Sequence, residues 1–195
     1  MTRVEILTEE PSMRDVLEEI LPKILPQKWV LGQNYFVRSH QGKQDLQKSI
    51  PRKVKTFSHF HERTGIVIVH DQDSHNCTEL KHDLIKLCQD ANNQENPAPF
   101  LIRIACRELE SWYLGDFRAI QAAYPRFNAQ KFAGQAKFRN PDNLNNAAEE
   151  LGKILPEFQK GASARAIAPY LDIDPQNNRS ESYKQFIKGI IKFFS

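Results

Sequence analysis

Four short apolar stretches of the chain have the pattern of β-strands. The clearest is residues 66–69, Ile-Val-Ile-Val, a continuous apolar run of the kind found in a strand buried on both faces of a parallel sheet. The other three lie at residues 4–7, 35–38 and 100–105. Each is followed by a segment with helical periodicity, and this alternation predicts an α/β fold with a mostly parallel four-stranded sheet flanked by helices.

Apolar residues at helical spacing mark the segments between the strands. Residues 13–24 carry one amphipathic face, with Ser12 expected as the N-cap and Asp15 completing a capping box. Pro22 lies late in this helix and is expected to kink it or end it early. Further helices are expected at residues 46–57 and 78–90, and another begins within residues 108–113.

The chain changes character after Pro125. Residues 127–146 are polar and loop-like, and the pattern then predicts helices within residues 144–155, 162–171 and 180–194. We therefore expect two parts, an α/β domain over residues 1–125 and a helical extension over residues 126–195 that packs on the same domain.

Composition limits the class of protein. Of the 195 residues, 40% are hydrophobic and 26% are charged, which is typical of a globular domain. No apolar run approaches the roughly 20 residues needed to span a bilayer, and the first residues lack the apolar region of a signal peptide. We therefore expect a cytoplasmic protein without membrane association. The net charge of +3 is too small to indicate nucleic-acid binding by itself.

Pairs of acidic residues follow three of the four expected strands. They are Glu9 and Glu10, Asp71 and Asp73, and Glu108 and Glu110. In a parallel sheet the carboxyl ends of the strands meet at one edge, where the ligand sites of open α/β sheets gather. Like charges at one edge repel each other and need a cation, and Mg²⁺ prefers oxygen ligands of this kind. The alternative is that each pair is a solvated cap that stabilises a helix N-terminus.

Two of these acidic segments resemble the motifs of TOPRIM domains. Residues 6–12, Ile-Leu-Thr-Glu-Glu-Pro-Ser, are similar to the first motif, in which a strand ends in a glutamate that is usually followed by glycine. Residues 69–73, Val-His-Asp-Gln-Asp, resemble the later Asp-x-Asp motif, and the order and separation of the two motifs fit. Longer segments, including VEILTEEPSM, VIVHDQDSHNC and IAPYLDIDPQNNRSESY, resemble an uncharacterised bacterial TOPRIM-like family that is often encoded beside an AAA-type ATPase.

The resemblance implies a role for each of these acids. Glu9 corresponds to the TOPRIM glutamate, a general base or metal ligand, and Asp71 and Asp73 correspond to the ligands of Mg²⁺ (or Mn²⁺). Glu10 stands where many TOPRIM domains have glycine, a departure that argues against the topoisomerase and primase mechanisms. The nuclease branch, which includes the overcoming-lysogeny-defect nucleases, fits best, and Glu108 and Glu110 resemble the second acidic cluster of some TOPRIM nucleases.

The function implied by the resemblance is that of a magnesium-dependent phosphodiesterase acting on nucleic acid, as a nuclease subunit of a bacterial ATPase-linked or defence system. In that function Glu9, Asp71 and Asp73 would be catalytic, and all six acids are candidate metal ligands. The alternative is a non-enzymatic TOPRIM-fold subunit that binds a partner protein or nucleic acid. A nucleotide-binding domain is disfavoured, because the chain has no glycine-rich phosphate loop of the P-loop or dinucleotide-binding type.

Three basic residues are candidates for binding phosphate. Lys43 follows Gly42 in the turn after the second strand, and would hold a phosphate oxygen if that turn lies beside the acids. Lys184 belongs to a lysine stripe on the last helix, which is either a solvated face or a surface that follows a phosphate backbone. Arg179 precedes that helix and would bind phosphate or brace an acid. His70 is either a proton carrier or a locally hydrogen-bonded residue.

Overall fold

A computed structural model describes residues 1–195 and contains one four-stranded sheet. Its strands are β1 (Arg3–Thr8), β2 (Tyr35–Ser39), β3 (Thr64–Asp71) and β4 (Phe100–Ala105). All neighbouring strands pair in parallel, in the order β2-β1-β3-β4. The expected parallel α/β fold is therefore confirmed, and the carboxyl ends of all four strands lie at one edge of the sheet.

Nine α-helices surround this sheet. Three long helices follow the first three strands: α1 (Pro11–Ile24), α2 (Lys43–Phe57) and α3 (Cys77–Ala91). Three short ones come after β4: α4 (Glu110–Leu114), α5 (Phe117–Ala123) and α6 (Ala129–Ala133). The chain ends with α7 (Ala147–Ile154), α8 (Lys160–Ile167) and α9 (Glu181–Phe194). None of the helices is long and apolar enough to cross a membrane.

Four local features differ from the sequence expectations. The N-cap of α1 is Glu10 and not Ser12, because Pro11 occupies the first helical position, where its missing N–H costs nothing. The same helix continues two residues beyond Pro22 to Ile24. The polar segment expected to be a loop contains α6 and two short 3₁₀ turns. Finally, β3 includes Asp71, so that this acid lies in the strand itself.

Hydrophobic cores on the two faces of the sheet hold the helices in place. The smaller core packs α2 and α3 against one face through residues such as Ile50, Ile68 and Leu84. The larger core lies on the opposite face and joins Val4 of β1 to Phe194 at the end of α9. Burial of this apolar surface is the main stabilising contribution, at roughly 25 cal/mol for each Å² removed from water. The helical extension thus shares its core with the sheet.

Buried hydrogen bonds add specificity to the docking of the extension. The indole of Trp112 in α4 donates to the hydroxyl of Ser182 in α9 at 3.0 Å. The side-chain amide of Asn178 donates to the carbonyl of Trp112 at 2.9 Å, and its oxygen accepts from the backbone N–H of Ser180 at 2.8 Å. The side chain of Asn178 therefore links α4 to the start of α9 through hydrogen bonds.

We predict that Gly115→Ala weakens the hydrogen bonds of Asn178 and destabilises the protein. A Cβ at Gly115 would lie 1.9 Å from Oδ1 of Asn178, so the side chain of Asn178 would have to move. We expect the free energy of unfolding to fall by about 1–3 kcal/mol. Gly134→Ala is the matched control, because nothing lies within 4 Å of a Cβ there. Chemical denaturation measures both variants, and equal stability of the two would show that Asn178 does not hold the extension.

Candidate functional site

Five carboxylates gather at the carboxyl edge of the sheet, and we call this set the acidic edge. Its members are Glu9, Glu10, Asp71, Asp73 and Glu110. Oε2 of Glu9 accepts a hydrogen bond from the backbone N–H of Asp71 at 3.3 Å, which ties the end of β1 to the end of β3. Burial, followed by the charges of Glu9 and Glu110, raises the pKa of Asp71 well above its usual range. Three strand ends therefore do supply acids to one place.

The carboxyl groups of Asp71 and Glu110 are buried, and the charge of Lys160 offsets only part of the effect of burial. Oδ1 of Asp71 and both carboxyl oxygens of Glu110 have no hydrogen-bond partner. Burial raises the pKa of Glu110 to about 7. A buried carboxylate without a partner is costly, so these oxygens call for a proton or a cation.

Glu9 is held by a neutral histidine. Nδ1 of His70 lies 3.1 Å from Oε2 of Glu9 and 2.5 Å from the carbonyl oxygen of Asp71. Both neighbours accept hydrogen bonds, so we assign the proton to Nδ1, and the amide of Gln47 donates to Nε2 at 3.0 Å. Burial lowers the pKa of His70, which keeps the ring uncharged. His70 is therefore a positioning residue for Glu9, whose own pKa is raised to about 7 by burial and by Asp73.

Asp73 is presented by an unusual backbone conformation. Its φ of 51° lies in the left-handed region, as does the φ of 62° at Arg107 in the loop after β4. The backbone N–H of Asp73 donates to the carbonyl of Arg107 at 2.7 Å, so the two loops brace each other. Nζ of Lys43 lies 2.8 Å from Oδ2 of Asp73. The turn after β2 therefore does lie beside the acids, which is the condition set for Lys43.

Lys160 is a member of the site that the sequence did not reveal. Its Nζ lies 2.6 Å from Oε2 of Glu10. Burial opposes its charge, but the hydrogen bond with Glu10 and the charges of Glu110 and Asp71 raise its pKa overall. Lys43 and Lys160 are each the first residue of a helix, where the helix dipole disfavours a cation. Their position is therefore explained by the carboxylates that they face.

Three predicted site residues make other contacts. Oε2 of Glu108 accepts from the backbone N–H of Ala148 at 2.8 Å, at the start of α7. The guanidinium of Arg179 donates to the carbonyl of Ala133 at 2.8 Å. Lys184 lies 3.7 Å from the carboxylate of Glu181 in its own helix. The structure thus brings Glu9, Glu10, Asp71, Asp73, Glu110 and Lys43 together and engages these three elsewhere.

The donor atoms of the acidic edge suit a hard divalent cation, although they are not already arranged around one. Carboxylate oxygens are the ligands of Mg²⁺ and Mn²⁺, and the unpartnered oxygens of Asp71 and Glu110 are available for that role. No group of three or more His, Cys, Asp or Glu side chains stands at coordinating positions. Side-chain rotation would have to precede coordination.

Fold and site define a parallel α/β protein with a buried acidic edge at the carboxyl ends of its strands. The chain belongs to the family described as domain of unknown function DUF4276, whose model matches residues 8–191. No curated protein and no solved structure matched the chain.

We predict that Glu110→Gln raises the melting temperature at pH 8 in the presence of a chelator. The folded-state pKa of about 7 is above the ordinary value of 4.5, so the stability contributed by this group is lost as the pH rises through that window. Removing the buried charge should raise the melting temperature by roughly 4–8 °C at pH 8 and by much less at pH 5. Calorimetry at both pH values measures this difference.

Glu108→Gln is the control for this prediction, because it makes the same change two residues away. Its carboxylate already accepts a hydrogen bond from Ala148, so no gain at pH 8 is expected. A lower melting temperature for Glu110→Gln under chelation would show that the ionised Glu110 carboxylate is stabilising by itself.

Proposed function

We propose that this protein is a TOPRIM-type, magnesium-dependent phosphodiesterase that cleaves nucleic acid. The observation that carries the proposal is the buried pair of unpartnered carboxyl groups, Asp71 and Glu110, beside Glu9 at the carboxyl edge of a parallel sheet. Acids so placed cost stability unless they bind a cation, and that cost is explained if they serve catalysis.

Each residue of the acidic edge has a role in this mechanism. Asp71, Asp73 and Glu110 would hold the cation, and a bound cation would supply Lewis-acid stabilisation of negative charge on the phosphate. Glu9 would take a proton from a water whose oxygen bonds to phosphorus as the phosphorus–oxygen bond to the leaving group breaks, and the leaving oxygen would take a proton from solvent. Its pKa of about 7 suits a general base at neutral pH. His70 fixes the orientation of Glu9 through its Nδ1 hydrogen.

The two lysines of the site act on the substrate side. Nζ of Lys43 is partly exposed and lies 2.8 Å from Oδ2 of Asp73, which supports a role for Lys43 in binding a phosphate oxygen. Lys160 offsets part of the negative charge through Glu10 and limits the repulsion that an incoming phosphate meets. The acidic edge would otherwise repel a nucleic-acid backbone.

The biological setting in the proposal comes from the resemblance of the motifs to TOPRIM nucleases. Under it the chain is a nuclease subunit of a bacterial ATPase-linked or defence system, with an AAA-type ATPase as partner. Substrate and partner would meet at the acidic edge.

A non-enzymatic interaction subunit is the second candidate, and one observation favours it. Ion pairs with Lys43 and Lys160 already engage Asp73 and Glu10, and no three side chains stand at coordinating positions. Such an edge would recognise a partner through its charge without binding a metal ion.

Cleavage assays with single-stranded DNA, double-stranded DNA and RNA test the proposal. With Mg²⁺ or Mn²⁺ we expect cleavage that falls at least about a hundredfold in Asp71→Asn and in Glu9→Gln, since each change removes several kcal/mol of transition-state stabilisation. Glu108→Gln should retain activity, because Glu108 is engaged with α7. No cleavage by the wild type, with and without the partner ATPase, would exclude the enzyme.

Metal titration separates the two candidates independently of activity. Calorimetry should show Mn²⁺ binding to the wild type, and the combined Asp71→Ala and Asp73→Ala variant should lose it. Binding should strengthen from pH 6 to pH 8, because raised pKa values mean that protons leave Glu9 and Glu110 when a cation binds. An absence of binding to the wild type would favour the interaction subunit.

A further inference from the structure

An open cavity lies at the amino ends of the strands, opposite the acids, and we call it the amino-edge cavity. Its volume is about 510 Å³. It is lined by the bases Arg63, Arg103 and Lys192 and by Met1, Pro99, Leu101, Gly189 and Phe193. Met1, Arg63 and Pro99 precede β1, β3 and β4, so the cavity opens at the amino ends of the strands. Arg103 reaches it from further along β4, where it pairs with Val69.

Arg103 is the unusual member of this cavity. It lies on edge strand β4 beneath α9, and no carboxylate forms a salt bridge with it. Its Nε is buried without a hydrogen-bond partner, and a terminal nitrogen donates only to the neighbouring carbonyl of Ile102 at 3.0 Å. A half-buried guanidinium without an anion is costly, because neither water nor a counter-charge replaces its hydration.

The helix above Arg103 makes room for the guanidinium. A Cβ at Gly189 would lie 1.9 Å from a terminal nitrogen of Arg103 and 2.3 Å from its Nε. Glycine inside a helix costs about 1 kcal/mol relative to alanine, and Gly189 is in the middle of α9. The fold therefore tolerates two unfavourable features, a helical glycine and an unpaired arginine, at one point.

Positive charge in this cavity is not balanced by acids. No aspartate or glutamate lines it, and none of its three bases forms a salt bridge. By contrast, Arg3 and Arg38 both bind the buried carboxylate of Glu5. The amino-edge cavity is therefore a concentrated positive site with an apolar wall formed by Leu101 and Phe193.

We propose that the amino-edge cavity binds a phosphate monoester attached to a flat apolar group, such as a nucleotide. The planar fork of Arg103 matches two phosphate oxygens, and Arg63 and Lys192 balance the second negative charge. Phe193 and Leu101 provide the contact for a base, and the volume is in the range of small-ligand sites. Two sources share this chemistry: a free nucleotide, and the terminal phosphate of a nucleic-acid strand.

Binding assays on the full chain test this proposal with three probes. These are adenosine monophosphate, an oligonucleotide with a terminal phosphate, and the same oligonucleotide with a terminal hydroxyl, all in the presence of a chelator so that the acidic edge takes no part. Adenosine monophosphate should raise the melting temperature and bind in calorimetry. Preference for the phosphorylated over the hydroxyl oligonucleotide identifies a strand end as a source, and nucleotide binding without that preference identifies the free nucleotide. Failure of the nucleotide and the phosphorylated strand to bind overturns the proposal.

Substitutions locate the binding. Arg103→Gln and Lys192→Gln should each weaken the binding of adenosine monophosphate at least about tenfold, since each removes a charged hydrogen bond to phosphate. Lys188→Gln is the matched control, because Lys188 makes the same charge change on α9 but does not line the cavity. Equal losses of affinity in Lys188→Gln and Lys192→Gln would show that only the overall charge of the protein matters, and would overturn the proposal.

The stability of the ligand-free variants separates a binding role from a structural one. If Arg103 serves a ligand, Arg103→Gln should leave the melting temperature unchanged or raise it, because it removes an uncompensated charge. A marked fall in the melting temperature, together with unchanged nucleotide binding by Lys192→Gln, would make Arg103 a structural residue. These outcomes are independent of nuclease activity, so the proposal for the cavity and the proposal for the acidic edge are tested separately.

Discussion

Repulsion among carboxylates at one edge of a parallel sheet is the constraint on which the rest of this structure depends. Parallel pairing directs the ends of β1, β3 and β4 to the same side, and each end supplies an acid. Burial intensifies the repulsion, because it removes the water that would screen the charges. Burial is the largest cause of the raised pKa values of Glu9 and Glu110, both about 7, and the charges of neighbouring carboxylates add to it. The ion pairs at the acidic edge reduce this repulsion.

Compensation comes from distant parts of the chain, and it joins the helical extension to the site. Lys43 enters from the start of α2, and Lys160 enters from the start of α8 in the extension. Glu108 accepts a hydrogen bond from the backbone at the start of α7. The extension is thus more than a cover for the apolar face: it carries one of the two cations that stabilise the acids. Loss of the extension would remove that cation together with much of the core.

Charge is segregated across the sheet. The carboxyl edge concentrates acids, whereas the amino-edge cavity presents Arg63, Arg103 and Lys192 without an acid among its lining residues. The net charge of +3 does not reveal this separation, because it is a sum over the whole chain. In the proposed function, an anionic substrate would be processed at one edge and a phosphate recognised at the other. Helix α9 connects the two regions, since it starts beside α4 and ends at the amino-edge cavity.

Local patterns in the sequence determined the strands, most of the helices and the meeting of acids at one edge. Apolar periodicity is a property of neighbouring residues, and strand–helix alternation leaves few alternatives to a parallel sheet. Tertiary structure alone decided which charges pair. Lys160 lies 150 residues from Glu10 in sequence, and no local signal links them. The contact of Gly189 with Arg103 has the same origin, because only the docking of α9 on β4 places a glycine above an arginine. Hydrophobic pattern is short-ranged along the chain, whereas ion pairing depends on how the helices pack.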